Sequence, residues 1–133
     1  SAGIPPRRKL KAWAQAALEA NARVTLRIVG GREGKTLNRR FPGPDYATNV
    51  LTFVYDEDPE LNGDIALCAP VVAREARENS LPLEAHYAHL VVHGILHLQG
   101  YDQVATRDAK VMEARESSIL KRLGYADPYR PTR

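Results

Sequence analysis

All four histidines of this chain fall between positions 86 and 97, at 86, 89, 93 and 97. The surrounding stretch, from about Leu83 to Gln99, has apolar residues spaced for a helix. Histidines four apart on a helix lie one turn above one another, so one cation can touch both imidazoles. His89, His93 and His97 give two such pairs. One ion cannot take all three, because the outer two lie roughly 12 Å apart along a straight helix. A usable site therefore takes one adjacent pair and a third ligand from elsewhere. Gly100 can adopt the left-handed conformation that ends a helix and turns the chain back. That turn brings Asp102 or Gln103 beside His93 and His97, and no comparable turn serves the other pairs. His93 and His97 are thus the expected metal pair, and His86 and His89 are expected to pack, support or face solvent.

The spacing H-x-x-x-H-x-x-G-x-x-ligand is that of extended zinc-protease helices. Those enzymes need a glutamate after the first histidine as general base. This chain has Gly94 there, which argues against peptide hydrolysis.

Strand-like segments come early and helical ones late. Proline opens a helix from about Pro5 to Ala20, with Leu10, Trp13, Ala14, Ala17 and Leu18 as its buried stripe. Alternation predicts a strand over Arg23 to Val29, with Val24, Leu26 and Ile28 on one side. A short helical piece is expected from Thr36 to Phe41. Further strands are expected over Asn49 to Tyr55 and Gly63 to Ala69, separated by an acidic loop from Asp56 to Asn62. Helices then follow from Pro70 to Asn79, Leu83 to Gln99 and Ala105 to Leu123. The last has Val104, Val111, Met112, Ile119, Leu120 and Leu123 as its apolar seam. The expectation is one α+β domain over residues 1–133, with a small mixed β-sheet of three to four strands covered by about five helices.

Charge is unevenly spread. Residues 1–40 hold ten Lys/Arg against Glu19 and Glu33, a balance of +8, so the other 93 residues carry −5 of the overall +3. Two readings fit: a landing surface for a polyanion, or the solvated faces of one helix and one edge strand. No apolar run approaches the ~20 residues of a membrane span, and residues 1–3 lack the regions of a signal peptide. A single cysteine, Cys68, excludes an internal disulfide, fits a reducing cytosol, and between Leu67 and Ala69 reads as a small core residue.

The run His93-Gly94-Ile95-Leu96-His97-Leu98-Gln99-Gly100-Tyr101-Asp102 resembles the signature H-G-x-L-H-L-x-G-Y-D-H of the YbeY family of bacterial endoribonucleases. Leu37-Asn38, Asp45, Thr48 to Phe53 and Gly63-Asp64-Ile65 resemble its upstream blocks, in order. Leu123-Gly124-Tyr125 and Asp127-Pro128-Tyr129 resemble its ending. The resemblance implies a zincin-like metal helix with one zinc ion per chain. It also implies a cytoplasmic, single-strand-specific endoribonuclease acting in 16S rRNA 3′-end maturation and ribosome quality control. The implied partners are single-stranded RNA, chiefly rRNA, and the ribosome or its proteins, with no membrane.

Two positions depart from the pattern. The third ligand falls on Gln103, whose carboxamide is a poorer zinc donor than imidazole. Either Gln103 ligates weakly, or water fills the position, or Asp102 swings in. The family's arginine after Phe41 is Pro42 here, so Arg40 or Arg39 is the candidate to contact phosphate. Thr48 and Asn49 are expected to line the cleft or to serve as turn and strand-entry residues. Asp102 is expected to accept a proton, orient a ligand, or cap the next helix. Phe41, Tyr46 and Tyr101 would stack on bases or pack. Three functions follow from these residues: a metal-dependent endoribonuclease, a catalytically weakened RNA- or ribosome-binding member of the same fold, and a metal-dependent hydrolase of another substrate.

Overall fold

A computed structural model describes residues 3–33, 36, 49–102 and 104–130. Helix α1 (Arg7–Ala17) leads into strand β1 (Ala22–Val29). Strands β2 (Val50–Asp56) and β3 (Leu61–Cys68) are followed by helices α2 (Ala69–Glu78), α3 (Leu83–Leu98) and α4 (Thr106–Leu123). Residues 31–33 and 36 are also helical. Strand order is β1-β3-β2, with β1 parallel and β2 antiparallel to β3. The expected α+β class with a small mixed sheet is what the chain forms. Most of the segment from Thr36 to Phe41 lies outside the described residues.

Boundaries differ where distant residues intervene. Helix α1 stops at Ala17 rather than near Ala20. There Gln99 ties off its end: the Gln99 Nε2 donates to the Ala17 carbonyl at 2.8 Å, and the Glu19 N–H donates to Gln99 Oε1 at 2.7 Å. Strand β3 begins at Leu61, inside the stretch expected to be an acidic loop. Leu61 and Asn62 pair there with Ala22 and Arg23 of β1, a partner that local composition does not reveal.

Helix α3 is the centre of the molecule. Tyr87, Val91, Val92, Ile95 and Leu96 are all buried, so the helix is apolar on nearly every side and packs against both the sheet and the other helices. Burial of each such side chain is worth roughly 1.5–3 kcal/mol. Gly94 permits the close approach to the sheet, because a Cβ there would lie 3.0 Å from Ile65 Cδ1 on β3. The opposite face of the sheet holds a smaller cluster of Val29, Leu51, Ala66 and Cys68. Cys68 is buried and unpaired, as a small core residue should be.

The expected seam of α4 forms at Met112, Ile119 and Leu120, with Leu123 packed against the core. Val104, before the helix, and Val111, beside Met112 but turned away from it, are instead 72% and 56% exposed. Glu116 joins the buried face. No helix among the described residues is long and apolar enough to cross a membrane.

Candidate metal centre

His93 and His97 share one face of α3, partly exposed, with their rings parallel and centroids 6.4 Å apart. Helix α3 ends directly after them. Gly100 has φ +101°, and its N–H donates to the His97 carbonyl at 3.0 Å while the Tyr101 N–H donates to the Leu96 carbonyl at 3.1 Å. These two bonds make the left-handed helix stop that the sequence predicts.

Behind His93 stands Glu116 of α4, with no exposed surface. Its Oε2 accepts from His93 Nδ1 at 2.6 Å, and its Oε1 lies 3.0 Å from His89 Nε2. The Tyr129 hydroxyl also donates to Oε1 and sits 3.1 Å from His89 Nε2. Burial pushes the Glu116 pKa up, but the hydrogen bonds from His89 and His93, the charge of His93 and the Tyr129 hydroxyl outweigh it and hold the group at about 2. Burial, reinforced by Glu116, pushes the Tyr129 phenol up, so it remains a donor.

An ionised carboxylate only accepts, so the neutral form of His93 carries its proton on Nδ1 and keeps the lone pair on Nε2. A histidine that binds a divalent cation needs one ring nitrogen with a free lone pair. Among the described residues the His97 ring makes no hydrogen bond, which leaves it available too. The two residues therefore fit a zinc-type ion. Among the described residues no group of three His, Cys, Asp or Glu is placed to hold one, and Asp102 does not complete such a group. Asp102 is exposed and its Oδ1 accepts from the Val104 N–H at 2.9 Å, shaping the turn into α4. Gln103, Arg39, Arg40 and Thr48, with Phe41, Pro42 and Tyr46, lie outside the described residues.

Asn49 opens β2 and its side chain faces away from solvent. Its Nδ2 donates to Glu75 Oε1 of α2 at 2.8 Å, and His86 Nε2 lies 2.9 Å from the same oxygen. Tyr101 is half-buried against the core, and its hydroxyl donates to Glu19 at 2.6 Å. An open cleft of about 560 Å³ lies beside this turn, with Glu19, Asp102 and Asp108 in its lining. Glu19 in this lining is ion-paired with Arg115 at 3.2 Å. Of the basic residues in the first forty, Lys9, Arg23 and Arg27 are ion-paired with Glu84, Glu60 and Glu33. Arg7, Arg8, Lys11 and Arg32 are exposed.

Glu116, Tyr129 and the pairing of His89 escape the sequence reading. A signal for Glu116 existed: it stands four residues after Met112 and three before Ile119, on the apolar face. No local pattern announces Tyr129, which arrives by a fold-back. Asp127 Oδ1 accepts from the Tyr129 N–H at 2.9 Å and from the Ser117 hydroxyl at 2.8 Å, bonds that hold the Asp127 carboxyl below the usual range.

The sequence profile of the family described as Endoribonuclease YbeY matches residues 6–124. The chain belongs to the YbeY family. It is 58% identical to Endoribonuclease YbeY of Cupriavidus necator, over 99% of this chain and 68% of that one. It is 57% identical to the YbeY of Nitrosomonas eutropha, over 95% of this chain and 89% of the relative. The solution structure of TM1509 from Thermotoga maritima is similar with a TM-score of 0.56 and 28% identity, covering 94% of this chain and 89% of that one. The residues that match the YbeY signature thus include His93, which bonds the buried Glu116, and His97, whose ring lies parallel to it.

Proposed function

We propose that this chain is a metal-dependent endoribonuclease that cuts single-stranded RNA, with one zinc ion held by His93, His97 and a third ligand at Gln103. The observation that carries the proposal is the His93–Glu116 contact, which leaves Nε2 of His93 free beside the parallel ring of His97. Membership of a family whose members are named endoribonucleases supports RNA as the substrate.

When bound, such an ion supplies Lewis-acid polarisation of a water or a phosphoryl oxygen. The chain's own groups do the rest. His93 and His97 stand with parallel rings on one side of α3. Arg40 or Arg39 neutralises the phosphate as charge builds in the transition state. Thr48 and Asn49 would line the path of the RNA strand. Asp102 accepts a proton or orients the ligand at 103. Exposed Arg7, Arg8 and Lys11 of α1 attract the RNA backbone, so affinity falls as salt rises. Within the cell the proposed role is cytoplasmic: maturation of the 16S rRNA 3′ end and ribosome quality control, with rRNA and the ribosome as partners.

Gln103 in place of a histidine, and Pro42 in place of an arginine, favour a second reading, a member that still binds RNA or ribosomes with weakened catalysis. Gly94, packed on Ile65 where a peptidase carries its glutamate, counts against a peptidase. Bound metal and cleavage of single-stranded RNA are to be measured for the parent, Gln103→His and His97→Ala. His97→Ala is expected to lose both. A His97→Ala protein that cleaves as well as the parent sinks the nuclease proposal. A joint gain of metal and activity in Gln103→His identifies 103 as a weakened ligand position, whereas unchanged metal content points to Asp102 or water. RNA binding without cleavage by the parent favours the second reading.

A further inference from the structure

We infer that Glu116 is a positioning residue for His93, and that the C-terminal segment acts on the metal site through Tyr129. This rests on reading His93 and His97 as ligands.

The case begins with an anomaly of placement. Glu116 occupies a core position on α4, between Met112 and Ile119, with no exposed surface. An apolar side chain would fill that seam without the cost of taking a charge out of water. What the carboxylate supplies instead is direction. Its Oε2 lies 2.6 Å from Nδ1 of His93, while the ring remains 18% exposed on its other side. The opposite tautomer would set a lone pair on Nδ1 against a lone pair of the carboxylate. Glu116 therefore holds the proton on Nδ1, fixes the ring plane and turns Nε2 outward. A charged acceptor behind the ring also makes the outer nitrogen more basic, hence a stronger ligand.

A carboxylate that aims a ligand must itself be fixed. Both its oxygens are engaged, Oε2 by His93 and Oε1 by His89 and Tyr129. His89 comes from the same helix as His93, one turn earlier. Tyr129 comes from beyond α4, and Asp127 anchors that segment through the Tyr129 N–H and the Ser117 hydroxyl. The ring of His89 stands edge-on to Tyr129 with centroids 5.4 Å apart, closing the network on that side. The order of support runs Asp127, Tyr129, Glu116, His93. The ending of the chain is thus a working part of the metal site, although it holds no ligand.

The test uses the full chain with ¹⁵N-labelled histidine. In the metal-free parent at about pH 8, where an ordinary imidazole (pKa ≈ 6.5) is neutral, His93 should show a single tautomer with the proton on Nδ1. Glu116→Gln should mix the two tautomers and weaken zinc affinity by roughly 10–100-fold, measured by chelator competition. Tyr129→Phe should weaken it several-fold. Glu75→Gln, which alters the other histidine-bonded carboxylate beside α3, should leave both readouts within twofold. A folded Glu116→Gln protein with an unmixed His93 tautomer and zinc affinity within twofold of the parent overturns the inference. Should that variant not fold, Glu116→Asp decides. With the carboxylate withdrawn by one methylene, retention of the parent tautomer and affinity overturns it equally. A parent that binds no zinc defeats the ligand reading, and the tautomer of His93 then judges Glu116 alone.

Discussion

Glu116 and Glu75 both meet histidines of α3, one from α4 and the other from α2, yet their surroundings are finished to different degrees. Glu116 is sealed from solvent and both of its oxygens have partners. The Glu75 side chain is 28% exposed, and its Oε1 alone takes Asn49 and His86. Around Glu75 two buried atoms, Asn49 Oδ1 and His86 Nδ1, have no hydrogen-bond partner among the described residues. A fully satisfied network fixes its members in one geometry, while a partly satisfied one leaves room for a water or a rearrangement. The complete network stands behind the proposed metal ligand. The incomplete one stands at the entry to β2, directly after the residues expected to meet RNA.

Four experiments can break or sharpen this contrast. Glu116→Ala should cost most, about 3 kcal/mol in urea unfolding, because it removes a carboxylate with no exposed surface whose two oxygens hold His89, His93 and Tyr129. A loss under about 1 kcal/mol would erase the distinction between the two sites. Acid should expose the same residue. Glu116 has a folded-state pKa of about 2 against an ordinary 4.5. Its contribution is therefore fully present above about pH 4.5 and is lost as pH falls toward 2. The stability gap between parent and Glu116→Gln should close across that window, and a gap constant down to pH 2 would contradict the assignment. Glu75→Ala should cost only about 1 kcal/mol, since the carboxylate it removes is itself 28% exposed. Asn49→Ala should cost least, within about 0.5 kcal/mol, because the lost hydrogen bond and the removed orphan carbonyl offset each other. A loss above about 2 kcal/mol would show that the Glu75 cluster is as complete as its counterpart.

Much of the fold was legible because its elements announce themselves locally. Leu10, Trp13, Ala14 and Ala17 repeat at helical spacing, and each is buried on α1. Val24, Leu26 and Ile28 alternate with exposed residues along β1. His93 and His97 could be chosen from four histidines because a helix has a fixed rise and Gly100 supplies a turn. What was not legible depends on distant partners. Leu61 looks like part of an acidic loop until β1 lies beside it. Val104 and Val111 extend a plausible seam, but Val104 precedes the helix and Val111 turns outward beside buried Met112. Glu116 was overlooked because charge alone suggests exposure, and its partners lie 13 to 27 residues away. Tyr129 reaches the site only because Asp127 folds the segment back.

The strand order carries a consequence for how the chain is made. Both β1 and β2 pair with β3 and not with each other, and β3 is the last of the three in sequence. During synthesis the two outer strands emerge first, each with an open backbone edge and no partner. Neither can be zipped until Leu61 to Cys68 has followed. The β1–β3 pairing then closes a span from Val24 to Gly63, a costly loop for a sheet so small. Until that moment α1 has little to rest on, since α3, which it packs against, comes later still. The sheet can therefore close only once its central strand is made, and the histidines of α3 follow that strand in sequence.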